Sequence, residues 1–311
     1  MTKPVVIIHD AAIDEYMSTI LLTTMQDVRL DGIVIVNADC IYGPAMDAAW
    51  RIQQFIGRTD IPLSLSDARG LNPFPWEYRA DCIKQGQIAA LDPFGPHPDW
   101  PPYPNGDDWL EQHLDAAPEP VTLLCLCPAT PIADLLKRRP DLMKKVAQIV
   151  WMAGAIDVKG NLDPTTLPVA NLYAEWNVFW DPEASNWLLG QTTVPIVVFP
   201  LDVTNQAKLS PDFLNKLMIQ GKTHSYSDLA SQSYALVSDE PFYEMWDVVT
   251  TCYLAHPEFF EPPQKMQLCV GTKGAKEGAM LPDSNAPSVD VVMQIADIEA
   301  FYAYVLNQFS R

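Results

Sequence analysis

Residues Val5–Ile13 run Val-Val-Ile-Ile-His-Asp-Ala-Ala-Ile, and Asp14 and Glu15 follow at once. A strand buried on both faces of a parallel sheet reads as a short apolar run of this kind. Beyond it, Ile13, Met17, Ile20 and Leu21 recur at helical spacing. Three carboxylates, Asp10, Asp14 and Glu15, therefore crowd the junction between a strand end and a helix start. In an open α/β sheet, ligands bind outside the carboxyl ends of the strands. Acids this close repel one another unless something positive neutralises them, and a hard divalent cation with oxygen ligands would do so. An acidic first helical turn facing the helix dipole accounts for the same residues without a ligand.

Four more places at strand ends carry polar residues suited to a site. Asn37-Ala38-Asp39 follows a second apolar run, and Pro128-Ala129-Thr130-Pro131 follows Val121–Cys127. Thr before Pro is a good pair for capping and opening a helix, so this segment also reads as a plain helix start. Gly160-Asn161 and Ala174-Glu175-Trp176-Asn177 set amides and a carboxylate among aromatics, as a hydroxyl-rich ligand requires and as a capped turn would also look. Asp247 follows Trp246 inside an otherwise apolar helix, where an unpartnered carboxylate is costly to bury. A metal, a salt bridge or a hydroxyl contact would each serve as its partner.

The elements that must position these residues alternate. Strand-like runs are 5–8, 32–36, 62–65, 121–127, 147–152 and 194–199, and helix-like stretches are 13–25, 44–56, 132–137 and 182–189. This βαβα pattern implies an α/β fold whose mostly parallel sheet is covered by helices on both faces. Residues 92–108 read as an ordered Pro/aromatic loop, 210–256 as mainly helical with a break at Pro241, and 298–309 as an amphipathic helix. With no repeat and no low-complexity tract, one domain over residues 1–311 is the simpler reading.

Composition narrows the function. The chain of 311 residues is 48% hydrophobic and 19% charged, which suits a large core, and its net charge is −19. Nucleic acid and anionic membrane both need a basic footprint, so neither is an expected partner. No run of 18 apolar residues is present, so no membrane span is expected. Met1-Thr2-Lys3-Pro4 leads straight into a strand, the start expected without a signal peptide. Six cysteines scattered through apolar segments read as buried free thiols of a cytoplasmic protein. Gly221-Lys222-Thr223 resembles the end of a P-loop, but Lys216 stands where the motif needs Gly, and no Gly-x-Gly-x-x-Gly follows the first strand. An NTPase and a dinucleotide enzyme are both disfavoured.

Taken together, these segments resemble the nucleoside hydrolases, the calcium-dependent N-ribohydrolases, and among them the purine-specific, inosine-adenosine-guanosine-preferring branch. The family opens with Asp-x-Asp-x-x-x-Asp-Asp after its first strand; here that window is Ile8-His9-Asp10-Ala11-Ala12-Ile13-Asp14-Glu15. Further matches in family order are Asp39-Cys40, Asn72 to Arg79, Met152-Ala153-Gly154-Ala155, Gly160-Asn161, Ala174 to Pro182, Leu201-Asp202-Val203-Thr204-Asn205 and Trp246-Asp247. The departures are Ile8 for the first Asp, Glu15 for the fourth, and Ala11-Ala12 for a Gly-containing turn.

The resemblance implies a nucleoside hydrolase-like domain that cleaves the N-glycosidic bond of ribonucleosides, purine preferred, to ribose and free base. It implies calcium held by Asp10, Glu15, Asp247 and the main-chain carbonyl of Thr130, with Asp10 as general base toward the bound water. It places Asp14, Asn161, Glu175 and Asn177 on ribose hydroxyls, Met152 in the substrate site, Asp39 on the base, and Tyr78 and Trp246 on its two faces. Trp76, two residues from Tyr78, is open to two readings, a substitute for Tyr78 or a packing residue. The chemistry suits the residue types, since such bonds break through an oxocarbenium-like transition state and a positioned carboxylate can take a proton from water. The expected partner is a small-molecule nucleoside or ribose, with a homo-oligomer left open. Ile8 and Glu15 favour an alternative, a catalytically impaired homologue that binds nucleoside or sugar; a hydrolase of another N-ribosyl compound is a second.

Overall fold

The computed structural model describes residues 2–98, 103–162, 171–240 and 243–311. Its sheet grows outward from the first apolar run. Strand β1 (Lys3–His9) pairs in parallel with β2 (Val28–Ile35) on one side and β4 (Val121–Leu126) on the other, and β3 (Leu63–Leu65) lies outside β2. Beyond β4 come β5 (Val146–Met152), β6 (Ile196–Phe199) and β9 (Ser288–Val291), all parallel, then β7 (Gln264–Val270) antiparallel to β9 and β8 (Met280–Pro282) antiparallel to β7. The order is β3-β2-β1-β4-β5-β6-β9-β7-β8. The strand order reverses between β1 and β4, which is where an open α/β sheet leaves a crevice for a ligand.

Side chains alternate across β1 into two apolar layers. Val5 and Ile7 face the layer built with α1 (Ile13–Thr24), α2 (Tyr42–Phe55), α11 (Ser225–Ala235), α12 (Trp246–Cys252) and α13 (Ile298–Phe309). Val6 and Ile8 face the layer built with α5 (Gly106–Ala116), α6 (Thr130–Arg138) and α8 (Pro182–Gln191). Ile8 is fully buried there, in register with Val34 and Cys125. Its side chain thus belongs to the core, and an acid at this position would enter aliphatic surroundings.

The expected strands and helices are present, and the α/β architecture with one mostly parallel sheet is as anticipated. Strands β7, β8 and β9 go beyond it: β7 shows mostly exposed or half-buried side chains, so it lacks the continuous apolar run that marked the inner strands. Helix α5 begins inside the stretch expected to be a Pro/aromatic loop, because Asn105 caps it by accepting from Asp108 N at 2.9 Å. Pro101, Pro102 and the expected break at Pro241 lie outside the described residues. The six cysteines are free, five of them buried. Among the described residues no helix is long and apolar enough to cross a membrane.

Candidate active site

At the end of β1 the chain must turn sharply into α1, and the turn is strained. Ala11 has φ +65°, a region that costs an L-residue about 1 kcal/mol or more. His9 fixes the turn by accepting the Ala11 N–H on Nδ1 at 3.1 Å, which leaves the proton on a buried Nε2. Asp10 follows, and its Oδ2 accepts Asp39 N–H at 3.1 Å, tying the end of β1 to the segment after β2. Asp14 and Glu15 stand in the first turn of α1 and are buried, unlike the solvated acids that commonly face a helix dipole. Glu15 Oε2 and Asp247 Oδ1 are buried with no hydrogen-bond partner.

A cavity of about 700 Å³, counting the part open to solvent, lies at this edge of the sheet. Asp10, Glu15, Asp39, Asn161, Glu175, Asn177, Met152, Tyr78, Trp246 and Asp247 all line it. Ten of the twelve residues singled out from the sequence thus meet in one place. Glu175 heads the short helix α7 (Trp176–Phe179): Oε1 accepts Asn177 N–H at 2.8 Å, and Oε2 accepts Gly154 N–H at 2.9 Å and Val178 N–H at 3.3 Å. Asn161 Oδ1 accepts Trp176 N–H at 3.2 Å, and Asn177 Nδ2 donates to the Met152 carbonyl at 3.1 Å. The Trp246 ring is oriented from behind by Asn205, whose Oδ1 accepts its Nε1–H at 2.9 Å.

Two of the expected residues are not among those lining the cavity. Asp14 is fully buried: Oδ2 accepts Asp247 N–H at 2.7 Å and Val248 N–H at 2.8 Å, and Oδ1 accepts the Tyr234 hydroxyl at 2.5 Å. In this conformation its oxygens serve the start of α12. Thr130 opens α6, with Ala129 rather than Thr130 at the capping position, and its hydroxyl donates to Asp181 Oδ2 at 3.0 Å. Trp76, open to either reading from the sequence, is 66% exposed and stands outside the lining.

Sequence reasoning did not single out Tyr243, Phe74, Trp176, Asp81 or Glu240, which also line the cavity. Phe74 and Trp176 stack at 4.7 Å, and the Tyr243 ring tilts against Trp246 at 5.0 Å. Phe74 and Trp176 lay within quoted motifs and carried an aromatic signal. Tyr243, Asp81 and Glu240 carried none.

The electrostatics follow from burying acids together. Burial pushes Asp10 and Asp14 up to about 6 and Glu175 up to about 7. Glu15 is raised well above the usual carboxylate range by burial and by the charges of Asp247 and Asp10. Asp247 and Asp39 are raised likewise, by burial first and then by neighbouring acids. An all-oxygen donor set with two unpartnered carboxylate oxygens suits a hard divalent cation, which would reverse this repulsion. Among the described residues no three His, Cys, Asp or Glu side chains already stand in a coordinating arrangement. A cation would therefore have to draw Asp10, Glu15 and Asp247 together.

Residues 5–303 match the sequence model of a family described as inosine-uridine preferring nucleoside hydrolases. The non-specific ribonucleoside hydrolase RihC of Salmonella newport (strain SL254) is 33% identical over 199 residues, 62% of this chain and 61% of that protein. The chain thus spans about 61% of the length of the curated relatives it matches. The crystal structure of the inosine-uridine preferring nucleoside hydrolase of Bacillus anthracis superposes with a TM-score of 0.91 over 99% of both chains at 29% identity. A purine-preferring ribonucleoside hydrolase from Gardnerella vaginalis shares the fold, with a TM-score of 0.79 over 98% of both chains at 16% identity.

Proposed function

We propose that this chain, which belongs to the inosine-uridine preferring nucleoside hydrolase family, hydrolyses the N-glycosidic bond of ribonucleosides to ribose and free base. The observation that carries the reading is the trio of buried carboxylates, Asp10, Glu15 and Asp247, on one cavity, with unpartnered oxygens on Glu15 and Asp247. Calcium held by these three, with the Thr130 carbonyl as the fourth donor the resemblance implies, would supply charge neutralisation and an oriented, acidified water.

The chain's own residues do the rest. Asp10, already hydrogen-bonded by Asp39 N–H, takes the proton from the attacking water. Asn161, Glu175 and Asn177 are held by backbone hydrogen bonds and meet the ribose hydroxyls. Trp246 and Tyr78 flank the leaving base, and Asp39 offers an acceptor at its edge. Stacking on aromatics is worth about 1–3 kcal/mol per base and favours a bicyclic purine. Inosine should therefore exceed uridine in kcat/KM by roughly tenfold, one decade being about 1.4 kcal/mol.

The test is turnover of inosine and uridine by the purified chain with added calcium and after chelation. We expect calcium-dependent release of ribose, lowered at least about 100-fold in Asp10→Asn. No turnover of any riboside, with inosine still bound, would replace this reading by that of a binding protein.

A further inference from the structure

We propose that Tyr234, which lies outside the cavity, is a positioning residue for this hydrolysis: its hydroxyl holds Asp14, and Asp14 fixes where α12 begins and so aims Trp246 and Asp247. The inference rests on the hydrolase reading above.

Helix α12 has seven residues, and its capping residue, Met245, brings no side-chain hydrogen bond. The amide groups at its start are buried and would be left without partners. The cap comes instead from 233 residues earlier in the chain, where Asp14 Oδ2 accepts both Asp247 N–H and Val248 N–H. A carboxylate with one oxygen engaged can still turn about its own axis. The Tyr234 hydroxyl at 2.5 Å on Oδ1 removes that freedom. Tyr234 is itself fully buried, edge-on to Phe213 at 6.3 Å. The other side of Asp14 is also tied, because its N–H donates to the Tyr243 hydroxyl at 3.1 Å, and the Tyr243 ring rests against Trp246. Trp246 and Asp247 are the first two residues of α12, so any drift of this anchor moves the base-facing ring and a carboxylate of the trio together.

A direct contact of Asp14 with ribose makes a different forecast. Ribose is common to all ribosides, so such a contact affects every base equally, and the Tyr234 hydroxyl would matter little.

The experiment measures kcat and KM on inosine and uridine, with calcium, for the full chain and for Tyr234→Phe. We expect kcat/KM to fall about 10–100-fold, the scale on which small misplacements act. We also expect a changed KM and a shift of threefold or more in the inosine-to-uridine ratio. Val305→Ala, a core change in α13, is the control for lost stability; it should scale both rates by one factor and leave KM and the ratio unchanged. An unchanged ratio and KM in Tyr234→Phe overturn the proposal even where kcat falls. Should Tyr234→Phe not fold, Asp14→Ala is judged by the same ratio: a shift supports positioning, and a uniform loss on both bases overturns it. If the parent chain turns over neither riboside, the hydrolase reading fails, and the ratio of inosine and uridine dissociation constants by calorimetry decides the Tyr234 proposal by the same criterion.

Discussion

Glu175 is pulled in opposite directions. Burial raises its carboxyl to about 7, while the N–H groups of Asn177, Gly154 and Val178 work to lower it. The folded value lies above the ordinary 4.5, so the folded chain keeps a proton that the unfolded chain releases. That contribution to stability is fully present below about 4.5 and is lost as the pH rises through about 7. We expect the melting temperature of the cation-free protein to decline across this window, and Glu175→Gln to flatten the decline whatever it does to the absolute stability. A Glu175→Gln profile parallel to the parent's would exclude Glu175 as a source. Glu175, Asp10, Asp39, Asn161 and Asp247, which line one cavity, were legible as candidates because polar groups beside apolar runs stand out and because the motifs that hold them resemble a known family. Asp14 was not separable from Asp10 and Glu15. Three acids in six positions look alike until α12, 233 residues away, claims one of them. Tyr234 and Tyr243 read as ordinary core aromatics, since nothing local shows which carboxylate a buried phenol will meet.

The elements that carry Asn161 and Glu175 depend on one close backbone approach. Gly160 N–H donates to the Leu172 carbonyl at 2.8 Å and Asn161 N–H to the Ala174 carbonyl at 3.1 Å, which sets Asn161 beside Glu175. A Cβ on Gly160 would stand 1.8 Å from the Ala174 carbonyl oxygen, so the two segments would have to part. Gly160→Ala should therefore lower kcat/KM about 100-fold. Gly190→Ala in α8 is the contrast: nothing lies within 4 Å of its Cβ, and replacing a helical glycine should stabilise the fold by up to about 1 kcal/mol. Equal activity of the two variants would show that the 160–174 pairing does not position the site. This pairing was not readable in advance; Gly160-Asn161 looked equally like a turn. The inner strands were readable because burial on both faces demands an unbroken apolar run, and β7 was missed because a strand near the sheet edge is free of that demand.

At the scale of the molecule, charge bears on which ligand the cavity would admit. The chain carries a net −19, and seven carboxylates line the cavity: Asp10, Glu15, Asp39, Asp81, Glu175, Glu240 and Asp247. Among the described lining residues there is no Lys, Arg or His. Lys84 meets Asp81 at 2.6 Å, but it is not among the lining residues and its side chain is 48% exposed. A nucleoside enters such a cavity without electrostatic cost, whereas a 5′-phosphate brings up to about two negative charges. Like charges about 8 Å apart repel by roughly 1 kcal/mol at an intermediate effective dielectric of about 40. A bound calcium would keep its carboxylate ligands ionised while offsetting two of the charges, so the remaining excess of carboxylates acting on a divalent phosphate amounts to a few kcal/mol, or about two decades. We expect kcat/KM on inosine 5′-monophosphate to lie at least about 100-fold below that on inosine. The dependence on salt separates the two sources of this discrimination. The field of the whole surface is screened over about 10 Å at 0.1 M salt, while charges inside the cavity are screened far less. Raising the salt to about 0.5 M should narrow the gap between the two substrates and still leave it above roughly tenfold. A gap that closes completely would assign the selectivity to net charge alone, and comparable rates at low salt would mean that the phosphate never meets these carboxylates.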